Sequence, residues 1–235
     1  MALPIQNTPK HICVLPHSGE EVEYRPFLVK EQKILVLARE SENNAEIFGA
    51  VKELIGNCTF GKLNVDKLAS IDLEFLFLAI RAKSVGETAD VTISCQEEEC
   101  AGSGQATVGL NDVEVVGSVP EDNKIMLNDT TGVTLKMPTV ADMNKYSEVQ
   151  DQADQGLAIL KTCLDTIFDQ ENVYEVADTD PEELDEFIES LTLGQVETIG
   201  RWFEDLPRLQ KDVHYQCGLC NKEQSRTLVG LQSFF

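Results

Sequence analysis

Apolar positions in this chain follow a helical period near the start, a strand period in the middle, and a helical period again after about residue 139. "EEVEYRPFL" puts Val22 and Tyr24 two apart and runs into Pro26, which predicts a short extended segment. "VKEQKILVLARESE" then predicts a helix with Ile34, Leu35, Leu37 and Ala38 on its apolar side. In "NAEIFGAVKELIG", Ile47, Phe48, Val51, Leu54 and Ile55 follow helical spacing, with Gly56 as the expected stop. A third helix is predicted from Val65 to Lys83. Its apolar residues, among them Ile71, Leu73, Phe75, Leu76, Phe77, Leu78 and Ala82, cover more than one face, as in a helix buried on most sides.

Over residues 89–137 the pattern changes. "ADVTISC", "QATVGLNDVEVV", "NKIMLN" and "GVTLKMP" are short, β-branched and separated by Gly, Asn and Asp, so antiparallel strands are expected. Residues 139–206 read as helical. Leu157, Leu160, Leu164, Ile167 and Phe168 form one apolar face. Asp180, Pro181 and Glu183 make a helix-start signature, and Thr192 with Gln195 makes a second. Trp202 and the acidic residues of these helices read as packing and solvated positions respectively.

The strand segment holds a repeat. "VTISCQEEECAGSGQATVGLNDV" from Val91 and "VHYQCGLCNKEQSRTLVGLQSF" from Val213 each open with a strand that reaches cysteine four residues later. Each has a second cysteine soon after, a threonine seven residues beyond that one (Thr107, Thr227), and then Gly-Leu. This is a duplicated β-hairpin with two cysteines at its tip. Two such hairpins facing each other offer four thiolates to one ion, so Cys95, Cys100, Cys217 and Cys220 are the candidate metal ligands and a structural zinc is the expected occupant. An iron–sulfur cluster on the same thiolates is the alternative cofactor. A redox dithiol at Cys217 and Cys220 is a further one, although such pairs usually begin a helix and this one lies between strands. Cys13, Cys58 and Cys163 lack partners at ligand spacing, with Cys163 read as core. His214 reads as a strand side chain, and His11 and His17 as surface residues.

The fold class expected is therefore α+β: N-terminal helices, an antiparallel β module of two cysteine hairpins resembling a zinc ribbon, and a helical insertion between the hairpins. The corresponding divisions are 1–88, 89–138 with 207–235, and 139–206.

Charge narrows the function. The chain carries 19 Lys and Arg against 41 Asp and Glu, a net charge of −22, which repels nucleic acid and anionic lipid. The longest apolar run, "LEFLFLAI", is too short to span a bilayer. "MALPIQNTPK" has no signal-peptide pattern, so a cytosolic protein with unpaired or metal-bound cysteines is expected. Phosphate-binding glycine loops, a nucleophile elbow and a His-carboxylate-Ser set are all missing from the sequence, and no enzyme activity is expected.

"YRPFLVKEQKILVLARES", the two cysteine hairpins and the closing "LVGLQSFF" together resemble a baseplate family of T-even-type bacteriophages, the baseplate hub subunit or hub assembly proteins, from about Tyr24 to Phe235. Nothing generic requires "RPF" to precede "LVKEQK". Family members carry C-x-x-C in both knuckles, and the first pair here is wider by two residues. The resemblance implies a non-enzymatic part in building the baseplate hub through other hub proteins, in the host cytoplasm during assembly or in the virion tail. A zinc-ribbon regulatory or nucleic-acid-binding protein is the alternative, with a thiol oxidoreductase behind it. Phe234 and Phe235 are read either as a docking tip or as a cap on the core.

Overall fold

A computed structural model describes residues 7–40, 44–120, 123–147 and 152–234. In chain order the elements are strands β1 (His11–Val14) and β2 (Glu21–Tyr24), helices α1 (Val29–Glu40), α2 (Asn44–Cys58) and α3 (Ser70–Ser84), and strands β3 (Thr88–Ser94), β4 (Ser103–Gly109), β5 (Glu114–Val116), β6 (Lys124–Met126) and β7 (Gly132–Leu135). Helices α4 (Val140–Ser147) and α5 (Gln152–Cys163) follow, then β8 (Leu164–Phe168), β9 (Val173–Glu175), α6 (Pro181–Glu189), α7 (Leu193–Asp205), β10 (Arg208–Gln216) and β11 (Glu223–Val229). The protein is α+β, with small antiparallel sheets ordered β1-β2, β3-β4, β11-β10-β5 and β6-β7-β8-β9.

The chain forms two compact units. One holds the described residues up to Val65, Ile71–Val116, and those from Arg208 onward; the other holds Asp66–Ser70 and Gly117–Pro207.

In the first unit, α3 is buried along most of its circumference, through Ile71, Leu73, Leu76, Phe77, Leu78, Ile80 and Ala82. It is shorter than predicted: Val65–Lys67 is a separate 3-10 turn. Helix α2 passes Gly56 and ends at Cys58; the reversal falls at Phe60 and Gly61, both at positive φ. The "RPFLVKE" stretch has a physical reason to be as it is. Glu31 is fully buried and takes the Arg25 guanidinium at 2.9 Å on one carboxylate oxygen. Its other oxygen accepts the Leu28 N–H at 2.7 Å. Glu31 thus closes the first turn of α1 as the acidic half of a capping box, and Arg25 neutralises it. Asp72, also buried, accepts the N–H groups of His17 and Ser18 at 2.8 and 3.1 Å and so holds the β1–β2 turn. His17 is exposed; His11 is only half-buried, beside the Tyr24 ring.

The second unit has its own core of Val133, Leu135, Leu160, Leu164, Ile167, Leu184, Ile188, Ile199 and Trp202. Helices α6 and α7 begin where expected. Asp180 accepts the Glu182 N–H, and Thr192 with Gln195 makes a complete capping box. The helix expected to continue through Phe168 stops at Cys163, and Leu164–Phe168 is a strand paired with β7 and β9. Strands β6 and β7 join β8 and β9 in one sheet, so the segment 124–135 lies outside the cysteine hairpins' sheets.

Candidate metal centre

Strands β3 and β4 pair from Thr88–Gly109 to Ser94–Ser103, and the Cys95 N–H donates to the Gly102 carbonyl at 2.8 Å. Strands β10 and β11 pair from Gln210–Val229 to Gln216–Glu223, and the Cys217 N–H donates to Lys222 at 3.0 Å. Each hairpin therefore places its first cysteine on the rung that closes the loop and its second within the loop. The duplication extends to side chains. Thr107 Oγ1 donates to Asp90 across the first hairpin at 2.7 Å, and Thr227 Oγ1 donates to Asp212 across the second at 2.5 Å. Both hairpins then pass into a short 3-10 turn, at Leu110–Asp112 and Leu231–Phe234.

The second loop is tight because Asn221, at φ 55°, takes the left-handed conformation that asparagine tolerates. The first loop holds its two additional residues within the "QEEE" stretch and remains compact, with the Cys100 N–H on the Glu97 carbonyl.

The hairpins interlock at their tips. The Gly218 N–H donates to the Ser103 carbonyl at 2.8 Å, and the Tyr215 hydroxyl donates to the Ser94 carbonyl at 2.9 Å. Lys222 pairs with Glu97 at 2.6 Å. Two glycines permit this approach. A Cβ on Gly104 would lie 2.4 Å from the Gln216 carbonyl oxygen. One on Gly102 would lie 2.6 Å from the Leu219 Cβ and 2.7 Å from the Cys217 Sγ.

The four sulfurs of Cys95, Cys100, Cys217 and Cys220 lie within 4.8 Å of one another. The close contacts run between hairpins, Cys95 to Cys220 and Cys100 to Cys217, each at 3.7 Å. Sulfurs about 2.3 Å from one tetrahedral ion stand about 3.8 Å apart, whereas a disulfide brings them to about 2.05 Å. All seven cysteines of the chain are free. The donor set therefore fits a single thiophilic ion, and its mutual spacing is tighter than a multi-iron cluster, with each thiolate on a different iron, would require.

Electrostatics agree with that fit. The backbone N–H groups of Cys220 and Leu219 lower the Cys217 thiol to about 6. Cys100 is pushed up to about 12: the Gly102 N–H favours its thiolate, but desolvation and the neighbouring sulfurs of Cys95, Cys217 and Cys220 outweigh it. Cys220 is also raised, against the Lys222 N–H, by desolvation and by the sulfurs of Cys217 and Cys95. The Cys217 thiolate forms readily here and those of Cys100 and Cys220 resist, which is the state that a bound cation relieves.

His214 is exposed on β10, and Cys58 and Cys163 are buried away from any such group, so none of these joins the cluster. Sequence reading missed Gln224, whose Nε2 donates to Cys95 Sγ at 3.3 Å and whose Oε1 accepts the Gln96 N–H. It also missed Gly102; its place two residues after the second cysteine was the available signal. Phe234 is fully buried and so belongs to the core, while Phe235 lies outside the described residues.

Fold and site together define a small α+β protein with a four-cysteine cluster able to hold a metal ion. The chain belongs to the family described as T4 bacteriophage base plate protein, whose model matches residues 8–235. No curated protein and no solved structure matches it. Membership implies interaction with other phage baseplate proteins and points to the virion tail. Among the described residues no helix is long and apolar enough to cross a membrane.

Proposed function

We propose that this chain is a non-enzymatic component or assembly factor of a phage tail baseplate hub. It acts by binding other hub proteins and is held in shape by a structural zinc on Cys95, Cys100, Cys217 and Cys220. The observation that carries this reading is the convergence, in a baseplate-family chain, of four sulfurs from hairpins more than a hundred residues apart in sequence. A four-thiolate zinc is closed and offers substrate no open position, which supports a structural role. The two hairpins with their knuckles then form a zinc-ribbon-like module. Its tip favours protein over nucleic acid: Lys222 is engaged by Glu97, and Glu98 and Glu99 are exposed beside it. The three-part division read from the sequence, 1–88, 89–138 with 207–235, and 139–206, stands as a proposal.

Elemental analysis of protein made in the host cytoplasm should find about one zinc per chain; iron in its place, or no metal, counts against the zinc site. Mass spectrometry of mature particles tests the hub role. A chain that is neither present there nor co-purified with hub proteins from infected cells is not a hub component or assembly factor.

A further inference from the structure

Strand β11 is the outer strand of its sheet, and among the described residues β3 pairs only with β4. A groove of about 410 Å³ lies between them, lined by Thr92, Ile93, Arg226, Thr227, Leu228 and Val229. Antiparallel strands direct backbone groups alternately toward and away from the partner. The Cys95–Gly102 rung is hydrogen-bonded, so the backbone groups of Ser94 and Thr92 point away from β4. The Cys217–Lys222 rung is hydrogen-bonded too, so those of Ser225, Thr227 and Val229 point away from β10.

The ends of these two edges are occupied. The Ser225 carbonyl accepts from Gln96 Nε2, the Val229 carbonyl from Ser233 Oγ, and the Ser94 carbonyl from the Tyr215 hydroxyl. Between them, the outward backbone groups of Thr227 and Thr92 have no partner among the described residues. The floor is apolar, with Ile93 and Leu228. The charged residue in the lining is Arg226, an exposed guanidinium without a hydrogen bond or ion pair among the described residues, in a chain where acids outnumber bases by 41 to 19.

We propose that this groove receives an extended segment of another baseplate protein, added as a strand to β11, with one carboxylate meeting Arg226. Main-chain bonds to Thr227 supply affinity, and the arginine, whose fork matches a carboxylate, supplies selection. Apolar side chains on alternate positions of the guest face Ile93 and Leu228. The proposal rests on the reading of the chain as a binder of baseplate proteins and names the surface that does it.

The test probes the full-length, metal-loaded chain against an array of overlapping peptides from the other baseplate proteins of the same phage, each about ten residues, the upper end of strand length. Bound peptides are expected to alternate apolar residues and to contain Asp or Glu. Arg226→Gln should weaken the best one by about tenfold or more. N-methylation of the peptide's amides at one alternate set of positions should abolish binding, while methylation of the other set leaves it, a signature that needs no change to the protein. Equal effects of both methylated sets, or binding indifferent to Arg226→Gln, overturn the proposal. Co-purification of the intact chain with baseplate proteins while no peptide binds overturns the groove alone; failure of both defeats the hub reading as well.

Discussion

Gly102 is a residue whose missing side chain is as specific as any ligand. Its Cβ position is filled from two sides by Leu219 and the Cys217 sulfur. Gly102→Ala must push the second knuckle back or displace a sulfur, neither of which is a flexible side-chain end. Expected are a loss of bound metal and a destabilisation of about 1–3 kcal/mol, the usual cost of overpacking, read from metal-to-protein ratio and thermal melting.

Glu74, on α3, gives a different single-residue prediction. Desolvation raises its carboxyl to about 7, against the Leu231 N–H, which favours the charged form. The folded protein therefore keeps the proton over a range where the unfolded chain has lost it. The contribution to stability is complete below the ordinary carboxylate range and is lost as pH rises toward about 7. Melting temperature should decline over that window, and Glu74→Gln should remove this part of the decline; an unchanged pH profile in the variant would assign the slope to other groups.

At the scale of elements, α7 owes its start to a reciprocal pair: the Thr192 hydroxyl accepts the Gln195 N–H, and Gln195 Oε1 accepts the Thr192 N–H. Gln195 also donates to the Leu127 carbonyl at 2.9 Å, tying the helix to the β6–β7 hairpin. Thr192→Ala should cost about 1 kcal/mol, measured as a shift of the urea midpoint with unchanged slope.

Caps like these were legible because they are local. The misread element shows where legibility ends. Leu160, Cys163, Leu164 and Ile167 are all buried, as a helical reading requires. Yet the last two lie on a strand, where residues three apart normally face opposite ways. Consecutive Thr134 and Leu135 of β7 face Thr166 and Leu164 of β8, so Asp165 is an additional residue on β8 that lets both point inward. A bulge within β8 thus reproduced helical spacing, and only its pairing with β7 reveals it. The clustering of the four cysteines was readable because the repeat carries its own long-range information. Gln224 was not, because its role depends on the other hairpin standing beside it. Glu31 was visible only as a charge in an amphipathic helix; that Arg25 would fold back to bury it is a contact between elements.

At the scale of the molecule, the hairpins are held by interlocking backbone and side-chain contacts and, on the proposed reading, by a metal on the four clustered sulfurs. Metal–thiolate bonding in small domains contributes on the order of 10 kcal/mol, more than the few hydrogen bonds between the tips can replace. A strong chelator, or Cys217→Ser, should therefore expose residues 211–231 to hydrogen exchange. Helices α1 to α3 should stay protected, since Leu54, Ile55, Leu76, Phe77 and Ile80 are buried without reference to the sulfurs. Equal protection of 211–231 with and without chelator would show that protein contacts alone hold the tail.

Strand β5 ends and β10 begins on facing rungs: Val116 and Arg208 are cross-strand partners. Just beyond them, the Ser118 N–H donates to the Asp205 carbonyl. For its longer excursion the chain thus leaves the first unit after Val116 and returns to it at Arg208, on facing rungs of one sheet. Length can be added to or taken from the stretch between without asking the cysteine hairpins to move, because the spacing of Val116 and Arg208 is set by the sheet and not by what hangs from it. Such a stretch can diverge at its own pace among relatives, changing size and sequence while the sulfur cluster stays in register. That freedom is limited at Asp66–Ser70, which belongs to the same unit as the stretch: Ala69 bridges Thr139, the Ser70 N–H donates to the Pro138 carbonyl, and the Val140 N–H donates to the Leu68 carbonyl.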